Sequence, residues 1–327
     1  MLKVLNLSNN QIKDIADIES LKDLVTLNLI NNKITSFKIV LQNLINLSIG
    51  MNPLKDKSGL HQSPHLQYLD LSETKTTNTN FIPQQLTNLR TLQLCCNNIS
   101  DIATISNYID LQSLNLTFNK FLKNIEPLKC CMQLINLDLS NTRVYDINPL
   151  QFLRNLQFLK LSRTNVSNLW PLQFVKNLKQ LIMSYISVID LHPLQYLHQL
   201  EHLQITNTKV VDVAPLSSLT LISQMLLVHN KIRSFDPVKH HKCFTDYSMG
   251  YQTKPTAQEL KFYNKILSVH SSHKQIRKIM NDNKIAKFKT YLAQKENYIS
   301  IMLNKQIQIL NKQLEMLIQV VQFSYLD

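Results

Sequence analysis

The sequence predicts an α/β repeat solenoid, a stack of about eleven short coils sharing one parallel sheet. Three observations carry that expectation. The first is a period: from Leu134 to Leu221 the chain reads LINLDLSNTRVYDINPLQFLRN, LQFLKLSRTNVSNLWPLQFVKN, LKQLIMSYISVIDLHPLQYLHQ and LEHLQITNTKVVDVAPLSSLTL, four consecutive units of 22 residues. The second is the L-x-x-L-x-L opening of each unit. Its last two aliphatics stand two apart, share one face of a short strand, and are buried only when neighbouring coils stack. The third is the return half, where apolar residues recur every third position, as in Ile12, Ile15, Ile18, Leu21 and Leu24. That interval fits a tight 3₁₀ or extended return better than an α-helix of period 3.6.

Taken in order, the periods open at Leu2, Leu24, Leu44, Leu66, Leu89, Leu111, Leu134, Leu156, Leu178, Leu200 and Ile222, with spacings of 20 to 23 residues. Beyond each strand stands Asn (Asn10, Asn32, Asn52, Asn97, Asn119, Asn230) or Thr (Thr74, Thr142, Thr164, Thr208). An inward amide or hydroxyl there is expected to bond the backbone of the adjacent coil, where the chain bends away from the sheet. Ile186 should leave one rung of that ladder missing. In DINPL, NLWPL, DLHPL and DVAPL, Asp146, Asn168, Asp190 and Asp212 read as caps of short turns rather than as a metal column. Pro149, Pro171, Pro193 and Pro215 stand near the first position of those turns.

With these residues in view, the units resemble the 22-residue class of leucine-rich repeats, similar to those of phosphatase-regulatory repeat proteins and bacterial internalins with their N-x-I-x-D-I-x-P-L signature. The resemblance covers residues 1–238. It implies a right-handed superhelix with a parallel sheet on its concave side and protein binding there, and it transfers no catalytic residue. No N-terminal cap is recognisable: the chain starts inside its first strand motif, which predicts an exposed edge.

Composition narrows the function. Only three glycines occur, Gly50, Gly59 and Gly250, too far apart for a phosphate-cradling loop. Cys95, Cys96, Cys130, Cys131 and Cys243 have spacings that suit neither an ordinary disulfide nor a metal motif. A reducing compartment is expected, cytoplasmic or else nuclear. Neither a secretory signal nor a span of 18 or more apolar residues is visible. The sequons at Asn6, Asn46 and Asn115 read as by-products of the repeat. His198 and His202 lie on either side of the change from return half to strand, and HExxH is absent. His240, His241, His270 and His273 have no companion ligands at familiar spacing. No nucleophile with its base and no carboxylate pair stands out. The expectation is a protein that is not an enzyme and takes no metal, cofactor or small-molecule substrate.

The third, fifth and eighth positions of each unit should face solvent on the concave side. In the early turns they hold mostly small polar groups, with Tyr68 and Met51 as exceptions. From the sixth turn on, Phe118, Phe158, Lys160, Arg163, Ile182, Tyr185 and His202 appear. With Tyr68 these are the candidate protein-binding residues, since exposed aromatics and arginine on a preformed surface mark interface hot spots.

The formal charge is +13, and from Lys239 onward 14 Lys and Arg stand against 6 Asp and Glu. Residues 239–256 read as a closing turn and linker. Residues 257–327 read as a basic helical tail, about Ala257 to Met280 and about Lys284 to Phe323, with MNDNK as the break. The second helix sets Phe288, Leu292, Ile299, Leu303, Ile307, Leu310, Leu314, Leu317 and Val321 on a near-heptad, coiled-coil-like seam. At about 60 Å that stripe is too long for the first helix to cover, which favours self-association, a homo-oligomer, or a helical partner. Lys274, Arg277, Lys278, Lys284, Lys287 and Lys289 flank the break.

The leading expectation is therefore a scaffold that binds a protein of unknown identity on its concave face, with a tail for self-association or recruitment. One alternative is a regulatory subunit that clasps an enzyme such as a protein phosphatase. The other is a basic-tail adaptor for an anionic membrane or nucleic acid, although no nucleic-acid motif accompanies it.

Overall fold

A computed structural model describes residues 2–243. The helical tail with its seam, and the linker beyond residue 243, lie outside the described residues. Among the described residues no helix is long and apolar enough to cross a membrane.

Eleven strands form one parallel sheet in strict chain order. They are β1 Val4–Asn6, β2 Thr26–Asn28, β3 Asn46–Ser48, β4 Tyr68–Asp70, β5 Thr91–Gln93, β6 Ser113–Asn115, β7 Asn136–Asp138, β8 Phe158–Lys160, β9 Gln180–Ser184, β10 His202–Thr206 and β11 Gln224–Leu226. Register follows the period: Leu137, Leu159, Leu181 and Leu203 stand opposite one another along the ladder. Their side chains, and those two residues on, form a spine that is almost wholly buried from turn 2 to turn 11. Turn 1 is the exception, with Leu2 48% and Val4 62% exposed and Leu5 and Leu7 only partly covered, because β1 has a neighbour on one side alone.

The return halves are 3₁₀ helices such as Asn148–Phe152, Trp170–Phe174, His192–Tyr196 and Ala214–Ser218, with Pro in their first turn. The carboxylate or amide before each one caps it. Asp146, Asn168, Asp190 and Asp212 accept the N–H of the residue two on, at 2.8–3.0 Å. Turns 2 and 4 make no 3₁₀ helix, and bridges Ser36 to Asp56 and Asn78 to Asp101 hold their edges instead.

The asparagine ladder is present as expected. Asn119 Nδ2 donates to Leu94 O of the turn before and to Leu116 O of its own turn, both at 2.9 Å, while its Oδ1 accepts Ile99 N–H. Asn32, Asn52, Asn97 and Asn230 repeat this pattern. Threonine does not. Thr74, Thr142 and Thr164 donate to the carbonyl three residues back in their own turn, and Thr208 donates to the Asn230 side chain of the next turn at 2.7 Å. The expectation of a hydroxyl bridge from those threonines to the adjacent backbone is corrected accordingly. At Ile186 the rung is replaced by buried hydrocarbon, and beside it Thr206 Oγ1 bonds Ser184 Oγ at 2.7 Å.

Candidate functional site

Where the chain leaves each strand, the residue at the eighth position of the unit takes a left-handed backbone. All eleven do so: Asn9, Asn31, Met51, Glu73, Cys96, Phe118, Asn141, Arg163, Tyr185, Asn207 and His229, with φ between 54° and 59°. At ten of the eleven the amide is bonded to the next turn. In this conformation the amide points sideways and donates to the next turn, as in Phe118 N–H to Ser140 O (3.0 Å), Arg163 N–H to Ser184 O (2.8 Å) and Tyr185 N–H to Thr206 O (2.9 Å). Asparagine tolerates left-handed φ best among residues with a side chain, and it fills four of these positions. A bulky residue there costs ~1 kcal/mol or more in local strain.

Phe118 and Tyr185 stand in that column, 55% and 52% exposed, and Arg163 between them is also exposed. The Arg163 guanidinium lies over the Tyr185 ring at 4.2 Å, one turn away. Phe158 is half-buried in β8 opposite Gln180, and Lys160, opposite Ile182, has its ammonium 3.7 Å from Asp138. His202 is half-buried in β10, and its Nδ1 meets no hydrogen-bond partner among the described residues. Thus Phe158, Lys160, Arg163, Ile182, Tyr185 and His202 come together on β8 to β10. Phe118 lies two turns off, across Asn141. Tyr68 stands apart in β4, where burial and then Asp70 raise its hydroxyl above the usual tyrosine value, against a hydrogen bond with Ser48.

Comparison with known proteins agrees with the repeat fold. A family model described as leucine-rich repeats (2 copies) matches residues 1–40. An internalin of Listeria monocytogenes superposes with a TM-score of 0.68 at 27% identity, over 72% of this chain and 70% of that one. Internalin C2 of the same organism is 30% identical, with a TM-score of 0.54 over 58% of this chain and 81% of its own. The chain is a leucine-rich repeat protein. A leucine-rich repeat protein of Leptospira interrogans, 22% identical over 71% of this chain and 67% of its own, shares the fold with a TM-score of 0.60. No curated protein matches the chain.

Cys95, Cys96, Cys130 and Cys131 of this leucine-rich repeat protein are free thiols. Cys131 is fully buried at a core position, with Sγ–H directed to Ile105 O at 3.3 Å, and burial pushes its thiol up to about 12. Cys96 sits in the left-handed column, where burial and then Cys95 push it up to about 11. Neither has the depressed pKa of a nucleophilic thiol. His241 is buried with Nε2 3.1 Å from Leu216 O, a packing role, and burial lowers its pKa.

A second concavity was not anticipated from the sequence. It lies on the loop edge of turns 3 and 4, with a volume of about 390 Å³, and is lined by Lys55, Lys57, His61, Lys75, Thr77 and Phe81 among others. A signal for it was available. The residue after the capping position is apolar in nine repeats, from Ile15 and Phe37 to Val213 and Phe235, and polar only as Lys57 and Thr79 in these two adjacent turns.

Proposed function

We propose that this leucine-rich repeat array is a non-catalytic interaction scaffold that binds a protein partner on the exposed strand face of turns 6 to 10. Phe118, Phe158, Arg163 and Tyr185 are its anchors. Repeat arrays of this kind commonly present such extended surfaces to other proteins. The observation that carries the reading is the left-handed column. Phe118, Arg163 and Tyr185 occupy positions where asparagine would be less strained, and they leave most of their side chains in solvent. They return nothing to the core, so the account of their presence lies outside the fold. The stacked Arg163 and Tyr185 pair fits a partner surface that sets a carboxylate beside an apolar side chain. Because the sheet is already formed, docking orders little and the contact area converts efficiently into affinity.

The free thiols of Cys95, Cys96, Cys130 and Cys131 favour a partner met in a reducing compartment such as the cytoplasm. Recruitment or self-association through residues 257–327 is a further part of the proposal and rests on the heptad spacing alone.

The test is a triple variant, Phe118→Asn, Arg163→Asn and Tyr185→Asn, which puts the best-tolerated residue at all three positions. Affinity recovery with quantitative mass spectrometry is expected to lose the partners held by the native chain by about tenfold or more. The circular dichroism of the array should be unchanged. Equal recovery by both chains would remove the strand face from consideration.

A further inference from the structure

The pocket on turns 3 and 4 is built from an interruption of the core. The residue behind the capping Asp or Asn points inward in the other turns, and Ile102, Ile125, Ile147, Leu169 and Leu191 are each 1% exposed there. Lys57 takes that place in turn 3. Its half-buried stem carries an ammonium that lies 4.8 Å from the Phe81 ring centroid and 3.3 Å from Leu54 O. Asp56, next in the chain, is turned away: one oxygen accepts Ser58 N–H at 2.8 Å and the other faces Lys38 at 3.2 Å. Burial, partly offset by the Asp56 charge, lowers the Lys57 pKa, which is the mark of a cation incompletely compensated.

Lys55 and Lys75 face the same space. Among the described residues no carboxylate lies within ion-pair distance of Lys55, Lys57 or Lys75. Lys75 is also the one left-handed residue among those described that lies outside the eighth-position column, with φ 59°, so the chain bends specially where it borders this space. The lining contains no acidic side chain.

We propose that this pocket binds a phosphate dianion, free or as a monoester, between the ammonium groups of Lys55, Lys57 and Lys75. Three separate point cations around one volume suit an anion with several charged oxygens better than a planar carboxylate, for which a guanidinium fork is the better match. The Thr77 hydroxyl adds a neutral donor, and the Phe81 ring gives the organic part of an ester an apolar wall. A volume of about 390 Å³ lies at the small end for a ligand pocket and is too small for a macromolecular groove. The site is separate from the strand face and does not depend on the partner proposed for it.

The test titrates the full chain with phenyl phosphate by isothermal titration calorimetry in dilute, phosphate-free buffer, with inorganic phosphate and benzyl alcohol as parallel probes. One saturable site is expected, weakened by about tenfold or more in Lys57→Met and by about threefold in Lys55→Met or Lys75→Met. Lys33→Met, which alters an exposed lysine elsewhere on the array, should leave it unchanged. Inorganic phosphate binding as tightly as phenyl phosphate identifies the free ion as ligand. A clear preference for phenyl phosphate identifies the ester, and either result supports the dianion site. The proposal is overturned if no probe binds, if benzyl alcohol matches phenyl phosphate, or if the Lys57 and Lys75 variants bind like the native chain. The two outer lysines are exposed, so their variants keep the test decisive even if Lys57→Met perturbs folding.

Discussion

In turns 7 to 10 the column behind the cap runs Ile147, Leu169, Leu191 and Val213, every side chain buried; in turns 3 and 4 the same column holds Lys57 and Thr79. The first region has spacings of 22 residues and proline-led 3₁₀ returns, and its distinctive side chains stand on the strand face. The second contains the 23-residue spacing from Leu66 to Leu89, lacks a 3₁₀ return in turn 4, and opens at its loop edge. One plan therefore leaves two places where the surface can vary. Where the column is uniform, only the sheet surface varies; where it breaks, a recess forms between coils.

The largest way to break this comparison is to remove the ladder both regions share. Asn119→Ala strands the carbonyl of Leu116 and the amide of Ile99 inside the core, and should cost about 3 kcal/mol in urea unfolding. Thr142→Ala, which loses a bond within one turn, should cost about 1 kcal/mol in the same assay.

Next in size is an effect of pH. Cys131 is raised to about 12 from an ordinary thiol value of 9, so the unfolded chain ionises first and the folded chain resists. Its contribution is complete below pH 9 and is lost as pH rises toward about 12. Unfolding free energy near pH 10.5 should fall by about 2 kcal/mol more in the native chain than in Cys131→Val.

A smaller change sharpens the contrast. Lys57→Met restores an apolar residue to the column and should raise stability by about 1 kcal/mol, whereas Leu169→Lys in the regular region should lower it sharply. The smallest effect falls on the strand face. Tyr185→Asn should stabilise the array by about 0.5 kcal/mol through relief of left-handed strain, read as a small rise in thermal midpoint. A loss of stability would mean that Tyr185 supports the fold.

The period, the strand openings, the Asp and Asn caps and the proline positions were all legible in the sequence, because each is a local rule repeated from turn to turn. Asn and Thr are not equivalent here, since the threonines bond within their own coil or, as Thr208, to a neighbouring side chain, and the asparagines bond the adjacent backbone. The left-handed column could be suspected from Asn9, Asn31, Asn141 and Asn207, but Met51, Glu73 and Phe118 hide it. Ten of its eleven amides are bonded to the following coil, and no single unit reveals that. Lys57 reads as an ordinary surface charge until its turn is aligned with the other ten. The grouping of Phe158, Lys160, Arg163, Ile182, Tyr185 and His202 followed from register alone, whereas the stacking of Arg163 on Tyr185 required coordinates.

The sideways amides have one further consequence. Each coil presents to its successor the same donors and acceptors that it receives from its predecessor, as Asn141 N–H to Ser162 O and Arg163 N–H to Ser184 O illustrate. Excising a whole period such as residues 156–177 would thus bring together two cut surfaces that already match. The molecule can change length in whole coils, as a chain changes by links.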